Sequence, residues 1–291
     1  MLGSALRGAL EARGVQFLQL VRRAPVAEGQ LQWDPSSGQP FADPAVLEGT
    51  SAAIHLPGAS LGGRRWTRDY QREMTASRVD STRRLAAALA SLRTPPRSFL
   101  AASAIGFYGD RGDEVLQETS SPGTGFLADL CRQWEAAAEP AISAGIRVVH
   151  LRFGVVLGPG GGALAQMLPP FRIGLGAKLG DGRQWMSWVA QEDVIAAILF
   201  LLSHPEIAGP VNVAAPNPVT NADFTRALGR RLRRPAFLTI PRAALQLMFG
   251  AMANEALLAS ARVQPAKLLD AGFQFGSPDV ETALKRALRA S

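Results

Sequence analysis

Apolar positions along the chain follow two alternating rhythms. Leu6 and Leu10 put Ser4–Arg13 on an amphipathic helix that Gly14 stops. Val15–Val21, rich in Val, Phe and Leu, reads as a strand, and Arg22-Arg23-Ala24-Pro25 leaves it. Ser51–Leu56 is a second short strand ending in Pro57-Gly58, Ser98–Ala102 a third and Ile146–Leu151 a fourth. Helical spacing fills the intervals. Val79, Thr82, Leu85, Ala86 and Leu89 recur within Trp66–Leu92, and Leu127, Leu130, Cys131, Trp134 and Ala138 within Gly125–Ala138. Strands alternating with helices predict an α/β fold: a parallel sheet with helices on both faces.

The last third changes character. Gly158–Gly162 and Gly174–Gly182 read as glycine-rich loops around Pro169-Pro170. Val194–Leu202 is a buried helix preceded by Asp193, and Val211–Val213 a short strand. Asn221–Leu232 is a helix whose start is marked by Thr220-Asn221 and by Asp223 in its first turn. From Pro235 onward the pattern is helices and short extended pieces, without an internal repeat. A boundary near residue 155 divides a nucleotide-binding part, 1–155, from a smaller, mostly helical substrate lobe, 156–291, with chain crossing between them.

Composition narrows the classes. The 291 residues are 47% hydrophobic and 19% charged, enough for a sizeable core and too apolar for disorder. The longest apolar run, Val194–Leu202, is too short for a bilayer span, and Arg7 and Glu11 interrupt any secretory segment in Met1–Arg13. A single cysteine, Cys131, excludes an intrachain disulfide, and three histidines without ligand spacing argue against a metal site. The net charge of +7 is carried almost wholly by scattered arginines, so neither a nucleic-acid nor a membrane partner is expected. A cytoplasmic location is expected, and nothing in the pattern speaks to oligomeric state.

The alternation, with Ser103-Ala104-Ile105-Gly106-Phe107-Tyr108-Gly109 at a strand end, resembles the extended short-chain dehydrogenase/reductase superfamily. Gly125-Phe126-Leu127-Ala128, Leu130–Glu135, Leu151-Arg152-Phe153-Gly154-Val155-Val156-Leu157-Gly158, Gly161–Arg172, Gly180–Val189 and Ala214–Asn221 are similar to one subgroup of it. That subgroup is the nucleoside-diphosphate-sugar-epimerase-like (39U-type) family, which carries its own C-terminal domain. The resemblance spans essentially the whole chain. It implies a Rossmann-type doubly wound sheet and NADP(H) binding, and it implies no particular substrate.

A doubly wound dinucleotide fold opens with a strand, a glycine-rich turn and a helix whose N-terminus faces the pyrophosphate. This sequence opens inside that turn: Gly3 matches the last glycine, and the first strand and two glycines are absent. The expectation is a functional protein longer by about ten residues, a strand and a turn; the alternative is a truncation with impaired cofactor binding. Arg22 and Arg23 follow the second strand, where arginines accommodate the 2′-phosphate of NADP(H). The resemblance sets Leu56, Gly58, Ser103, Arg152 and Gly154 along the cofactor, while Pro57 departs from the usual residue and removes a donor. His55 reads as a packed strand histidine, Arg64-Arg65-Trp66 as the border of the site or a cap, and Arg78 as an ion pair at the core edge.

The superfamily's chemistry needs a tyrosine with a lysine four residues later, so that the ammonium lowers the phenol pKa. Tyr70 is followed at that spacing by Met74 and Tyr108 by Gly112, so the pair is absent. The helix where it belongs offers Phe126 or Leu127, then Leu130 or Cys131. Ser103 keeps the superfamily's serine position and is a catalytic candidate or a strand-end cap. Tyr108 is a phenol near the nicotinamide or a turn residue, and without a lysine it should titrate near its ordinary value of about 10. Glu135 suits pairing with an arginine better than service as a base. Trp185, Trp188 and Asp193 line the substrate cleft in the resemblance, or plug the space between lobes. Arg152 and Arg172 are candidates to hold an anionic substrate group, with a solvent-facing side chain the alternative for Arg172. The expected function is an NADP(H)-binding oxidoreductase-like protein with a non-standard active site; the alternative is a catalytically silent NADP(H)-binding regulatory or structural protein.

Overall fold

The computed structural model describes residues 1–37, 40–41 and 43–289. The chain opens on α1 (Leu2–Glu11) and continues through β1 (Gln19–Val21), β2 (Gln30–Gln32) and β3 (Ala52–His55). A helical stretch of α2 (Arg68–Thr75), a π-helical turn (Ala76–Asp80) and α3 (Ser81–Ala90) leads to β4 (Ser98–Ala104). β5 (Val115–Leu116), α4 (Phe126–Ala136), α5 (Glu139–Ser143), β6 (Arg147–Phe153) and β7 (Val155–Leu157) follow. Then come α6 (Gly162–Arg172), β8 (Ala177–Leu179), β9 (Trp185–Met186), β10 (Trp188–Ala190), α7 (Gln191–Ser203) and β11 (Gly209–Val213). The chain ends with β12 (Val219–Thr220), α8 (Asn221–Leu232), β13 (Leu238–Ile240), α9 (Arg242–Phe249), β14 (Arg262–Val263), α10 (Ala266–Asp270) and α11 (Val280–Ala287).

β3, β4, β6 and β11 form a parallel sheet in the order β11-β6-β4-β3, and β1 and β2 pair in parallel as a separate ribbon. Among the described residues no strand joins β1 to β3, where the first strand of the doubly wound order belongs. β4 reads Ser-Phe-Leu-Ala-Ala-Ser-Ala and is buried up to Ser103, as a strand covered on both faces must be. The period of two divides its side chains. Phe99 and Ala101 pack with Leu85 and Leu89 of α3, Ala141 of α5 and Val148. Leu100 faces the opposite layer, with Leu6 of α1, Val149, Leu151, and Val194 and Ile198 of α7.

Residues beyond 155 return to the sheet, because β11 pairs with β6 and α7 covers one face. α7 is gripped at both ends. Asp193 in its first turn accepts the N–H groups of Gly276 and Ser277 at 2.8 and 3.0 Å. At the other end Arg147 donates to the carbonyls of Leu201, Ile207 and His204 at 3.0, 2.7 and 3.1 Å, where last-turn carbonyls lack helical partners.

Two expectations are corrected. The helical stretch expected over Trp66–Leu92 begins at Arg68 and carries a π-helical turn at Ala76–Asp80, from which Ser77 and Arg78 bond to the loop after β3. The stretch 174–182 is not wholly loop, since it carries β8, and Pro169-Pro170 between the two glycine-rich stretches lie inside the last turns of α6. Proline removes two donors there, yet burial of Leu164, Leu168 and Phe171 in one cluster keeps the backbone helical. No helix among the described residues is long and apolar enough to cross a membrane. Leu100 is fully buried between the sheet and α7; Leu100→Ala should cost about 2–5 kcal/mol, read as a lowered midpoint in urea unfolding.

Candidate cofactor and active site

The site is built from the start of α1 and the carboxyl ends of the parallel strands. α1 begins without a side-chain cap or an acidic residue in its first turn, so its first N–H groups are free to meet an anion. Gly3 is exposed there, and a Cβ on it would meet nothing within 4 Å. Arg22 and Arg23 follow β1 directly, both exposed, and neither forms an ion pair among the described residues.

β3 ends on His55, which is buried, with Nε2 3.1 Å from the Ser81 hydroxyl and its ring against Trp33 and Phe99. Burial, aided by Arg22, pushes its pKa down to about 3, so it is a packed neutral imidazole and not an acid–base group. Leu56-Pro57-Gly58 turns away from the strand, and Gly58 has a φ of 151°. A Cβ at Gly58 would lie 3.0 Å from Nη2 of Arg78. Arg78 is buried and forms no ion pair among the described residues, which corrects the ion-pair expectation.

At the ends of β4 and β6 one buried network gathers four of the residues singled out from the sequence, Ser103, Tyr108, Glu135 and Arg152. Ser103 and Arg152 are register partners on neighbouring strands. The Ser103 hydroxyl donates to Oε1 of Glu135 on α4 at 2.7 Å. Arg152 meets the same carboxylate with Nε and Nη2, each at 2.8 Å, and its guanidinium lies 3.5 Å over the Phe107 ring. Its Nη1 donates to the Tyr108 hydroxyl at 3.0 Å, and Tyr108 donates onward to Oδ1 of Asn212 at 2.7 Å. Glu118 closes the network, accepting the backbone N–H of Asn212 at 3.0 Å and of Lys267 at 3.3 Å. Burial alone would lower the Arg152 pKa, but its bonds to Glu135 and Tyr108 raise it above the ordinary guanidinium value. Burial pushes the Tyr108 phenol upward despite Arg152 beside it, which corrects the expectation of an ordinary value. Sequence reading missed Glu118, Asn212 and Lys267; the polar Asn212 between Val211 and Val213 was the available signal.

The helix that should carry a tyrosine–lysine pair instead buries Leu127, Leu130 and Cys131. Burial, then the nearby Glu135, pushes the Cys131 thiol up to about 12, so it keeps its proton at neutral pH and does not serve as an acid–base group. Gly154 follows β6, and a Cβ there would lie 2.9 Å from the Ser187 carbonyl oxygen. Trp185 is half-buried: its Nε1 donates to Asp113 at 2.8 Å and Arg262 stacks 4.5 Å from its ring centre. Trp188 is fully buried, with its Nε1 lacking an acceptor among the described residues. Asp193 is buried in the first turn of α7, its pKa raised by burial although the Gly276 and Ser277 bonds oppose this. Arg172 is exposed at the end of α6.

A model of the NAD dependent epimerase/dehydratase family matches residues 1–214, and a domain of unknown function, DUF1731, matches residues 240–287. The chain is 44% identical over 284 residues to epimerase family protein Mb2239 of Mycobacterium bovis, covering 98% of this chain and 93% of that protein. It is 36% identical over 290 residues to epimerase family protein SDR39U1 of Homo sapiens, covering 98% of this chain and 95% of that one. The crystal structure of human SDR39U1 (isoform 2) with NADPH is similar with a TM-score of 0.88 at 33% identity, covering 99% of this chain and 96% of that chain. These matches bear out the family resemblance carried by the motifs.

Two outcomes test the electrostatics. Arg152→Met leaves the Glu135 carboxylate buried without its partner and should cost about 3–5 kcal/mol in denaturant unfolding, with the Arg152→Met/Glu135→Met double variant recovering part of the loss. His55 gives the pH sign. Below about 6.5 the unfolded chain takes up a proton on this ring, whereas the folded protein does not until about 3, so stability is lost as pH falls through that window. Between pH 7 and 5 the loss from this group is about 2 kcal/mol, and His55→Phe should flatten the stability–pH curve by that amount.

Proposed function

This chain belongs to the NAD dependent epimerase/dehydratase family, and on that premise we propose that it binds NADP(H) and acts as an oxidoreductase of the extended short-chain type. The observation that carries the reading is the pair Arg22 and Arg23: exposed at the exit of β1, free of ion pairs among the described residues, and suited to a 2′-phosphate. The human relative of known structure holds NADPH. The residues present fit such a cofactor. α1 offers uncapped first-turn N–H groups beside the open Gly3, and Leu56–Gly58 and Gly154 supply turns at the strand exits. The nicotinamide, when bound, gives or takes the hydride.

The chain's own groups determine what accompanies that step. Ser103 has given its hydroxyl hydrogen to Glu135, so its oxygen keeps lone pairs to accept a bond from a substrate hydroxyl. Tyr108 keeps its proton on Oη, pointed at Asn212, and its raised pKa leaves it a donor rather than a base. Arg152 supports the reacting end from below through Glu135 and Tyr108. Trp185 offers the accessible face for a ring-bearing or apolar substrate, with Trp188 and Asp193 fixing the segment from inside.

A second reading, a catalytically silent NADP(H)-binding protein, is favoured by one observation: Ser103 and Tyr108 both spend their hydroxyl hydrogens inside the buried network, and where the tyrosine–lysine pair would stand α4 buries Leu127, Leu130 and the protonated Cys131 thiol. Titration of cofactor fluorescence separates the layers of the claim. NADPH should bind more tightly than NADH, and Arg22→Glu/Arg23→Glu should weaken NADPH roughly tenfold or more while leaving NADH little changed; equal affinities in the unaltered protein would refute the assignment. Following NADPH absorbance against sugar nucleotides, quinones and small carbonyls then separates the two readings: turnover supports the oxidoreductase, and tight binding without turnover supports the silent protein.

A further inference from the structure

One end of the C-terminal lobe leaves large apolar side chains in water. Phe237 is 79% exposed, Ile173 71% and Leu175 55%. They lie on two short segments that the fold sets side by side. Residues 173–175 fold back onto the end of α6, where the N–H groups of Gly174 and Leu175 donate to the carbonyls of Phe171 and Pro170 at 3.1 and 2.9 Å. Residues 233–236 fold back in the same way onto the end of α8, where the N–H groups of Arg233 and Arg234 donate to the carbonyls of Arg230 and Gly229 at 3.1 and 3.0 Å. Both segments then enter one parallel ribbon, with Leu238 of β13 opposite Ala177 of β8. A Cβ at Gly174 would lie 3.6 Å from Pro235, and one at Gly176 3.1 Å from Ala236. Phe171, Leu232 and Ala236 share one cluster, so the ends of α6 and α8 meet there.

Four arginines accompany these side chains. Arg172 ends α6, Arg231 lies in the last turn of α8, and Arg233 and Arg234 follow it. All four are exposed, and none forms an ion pair among the described residues. The Glu281 carboxylate nearby is taken by Arg230. Cations near helix C-termini favour the helix dipole, which accounts for Arg172 and Arg231. It does not account for Arg233, the one non-glycine residue at positive φ among the described residues, held at 54° where glycine or asparagine costs least. Nor does it account for three apolar side chains kept in water beside the charges. Arginines that look scattered along the sequence are gathered here by the fold, which brings Arg172 to those at 230–234.

A cationic rim beside apolar tips calls for an anionic partner with an apolar layer beneath its charges. A second copy docked face to face would set the same arginines against one another. A stable protein partner needs about 1,000 Å² of shape-matched surface, for which side-chain tips on two adjoining turns are a poor template. A fluid headgroup layer adapts to such tips, admits apolar side chains below its phosphates and pairs those phosphates with arginines. We propose that this end of the C-terminal lobe is a docking surface for an anionic lipid bilayer. Ile173, Leu175 and Phe237 enter the layer below the headgroups, and Arg172, Arg231, Arg233 and Arg234 meet the lipid phosphates. The chain lies on the bilayer without crossing it.

The test sediments the full chain with vesicles of phosphatidylglycerol and phosphatidylcholine in equal parts, and with vesicles of phosphatidylcholine alone. The unaltered protein should bind the mixed vesicles at least about tenfold more tightly than the neutral ones. Arg233→Glu/Arg234→Glu should weaken that binding roughly tenfold or more, and Ile173→Ser/Phe237→Ser should weaken it by a similar factor. Arg93→Glu/Arg97→Glu removes the same charge at exposed positions before β4 and should leave binding little changed. Phe237→Trp should give a blue-shifted emission with the mixed vesicles only. All the substituted side chains are exposed, and the thermal midpoint of each variant checks that it folds. The proposal is overturned if the mixed vesicles do not bind the unaltered protein, or if the Arg93→Glu/Arg97→Glu pair weakens binding as much as Arg233→Glu/Arg234→Glu. It is overturned equally if Ile173→Ser/Phe237→Ser binds like the unaltered protein. A dimer in sedimentation velocity that Ile173→Ser/Phe237→Ser dissociates would give the face to a second copy instead, and labelled single-stranded RNA held by Arg233 and Arg234 without vesicle binding would give it to nucleic acid.

Discussion

A buried positive charge must be neutralised or hydrogen-bonded on nearly every side, and the Arg152 guanidinium is the point where this chain meets that demand. It sits on the central strand β6 and draws partners from α4, from the turn after β4, and through Tyr108 and Asn212 from β11. These pieces are far apart in sequence: Tyr108 and Asn212 are separated by 104 residues. The ends of three parallel strands are thus held in mutual register by one cation as well as by their ladders. The same demand leaves Ser103 and Tyr108 with little freedom, since each spends its hydroxyl hydrogen on keeping this network complete.

The exit of β3 is fixed by a different device. There the bulged helix supplies the partners, with Ser81 beside His55 and Ser77 and Arg78 on Ala59. The two exits therefore differ in electrostatic character: one holds a paired charge and the other an unpaired one. A sheet whose first-strand position is unfilled among the described residues still presents both exits in order, because β3, β4, β6 and β11 pair continuously.

Much of this architecture was legible in the sequence. The strands at Ser98 and Arg147 stood out because burial on both faces demands unbroken apolar runs, and the helix from Asn221 to Leu232 stood out because Thr220 caps it at Asp223. α6 was hidden because two prolines argue locally against a helix that tertiary burial sustains. The π-helical turn was hidden because it has no periodic signature; it shows only in what Ser77 and Arg78 reach. At the candidate site Ser103, Tyr108 and Arg152 were identifiable by position, and Glu135 as a partner for an arginine. Their joint network was not, because Glu118, Asn212 and Lys267 reach it from remote segments.

The double grip on α7 has a mechanical consequence. With its first turn tied through Asp193 to Gly276 and Ser277 and its last turn tied through Arg147 to β6, this helix behaves as a rigid strut between the sheet and the C-terminal segment. Any breathing that admits or releases a ligand must bend elsewhere, as at the glycine-rich turn 158–161 that joins β7 to α6.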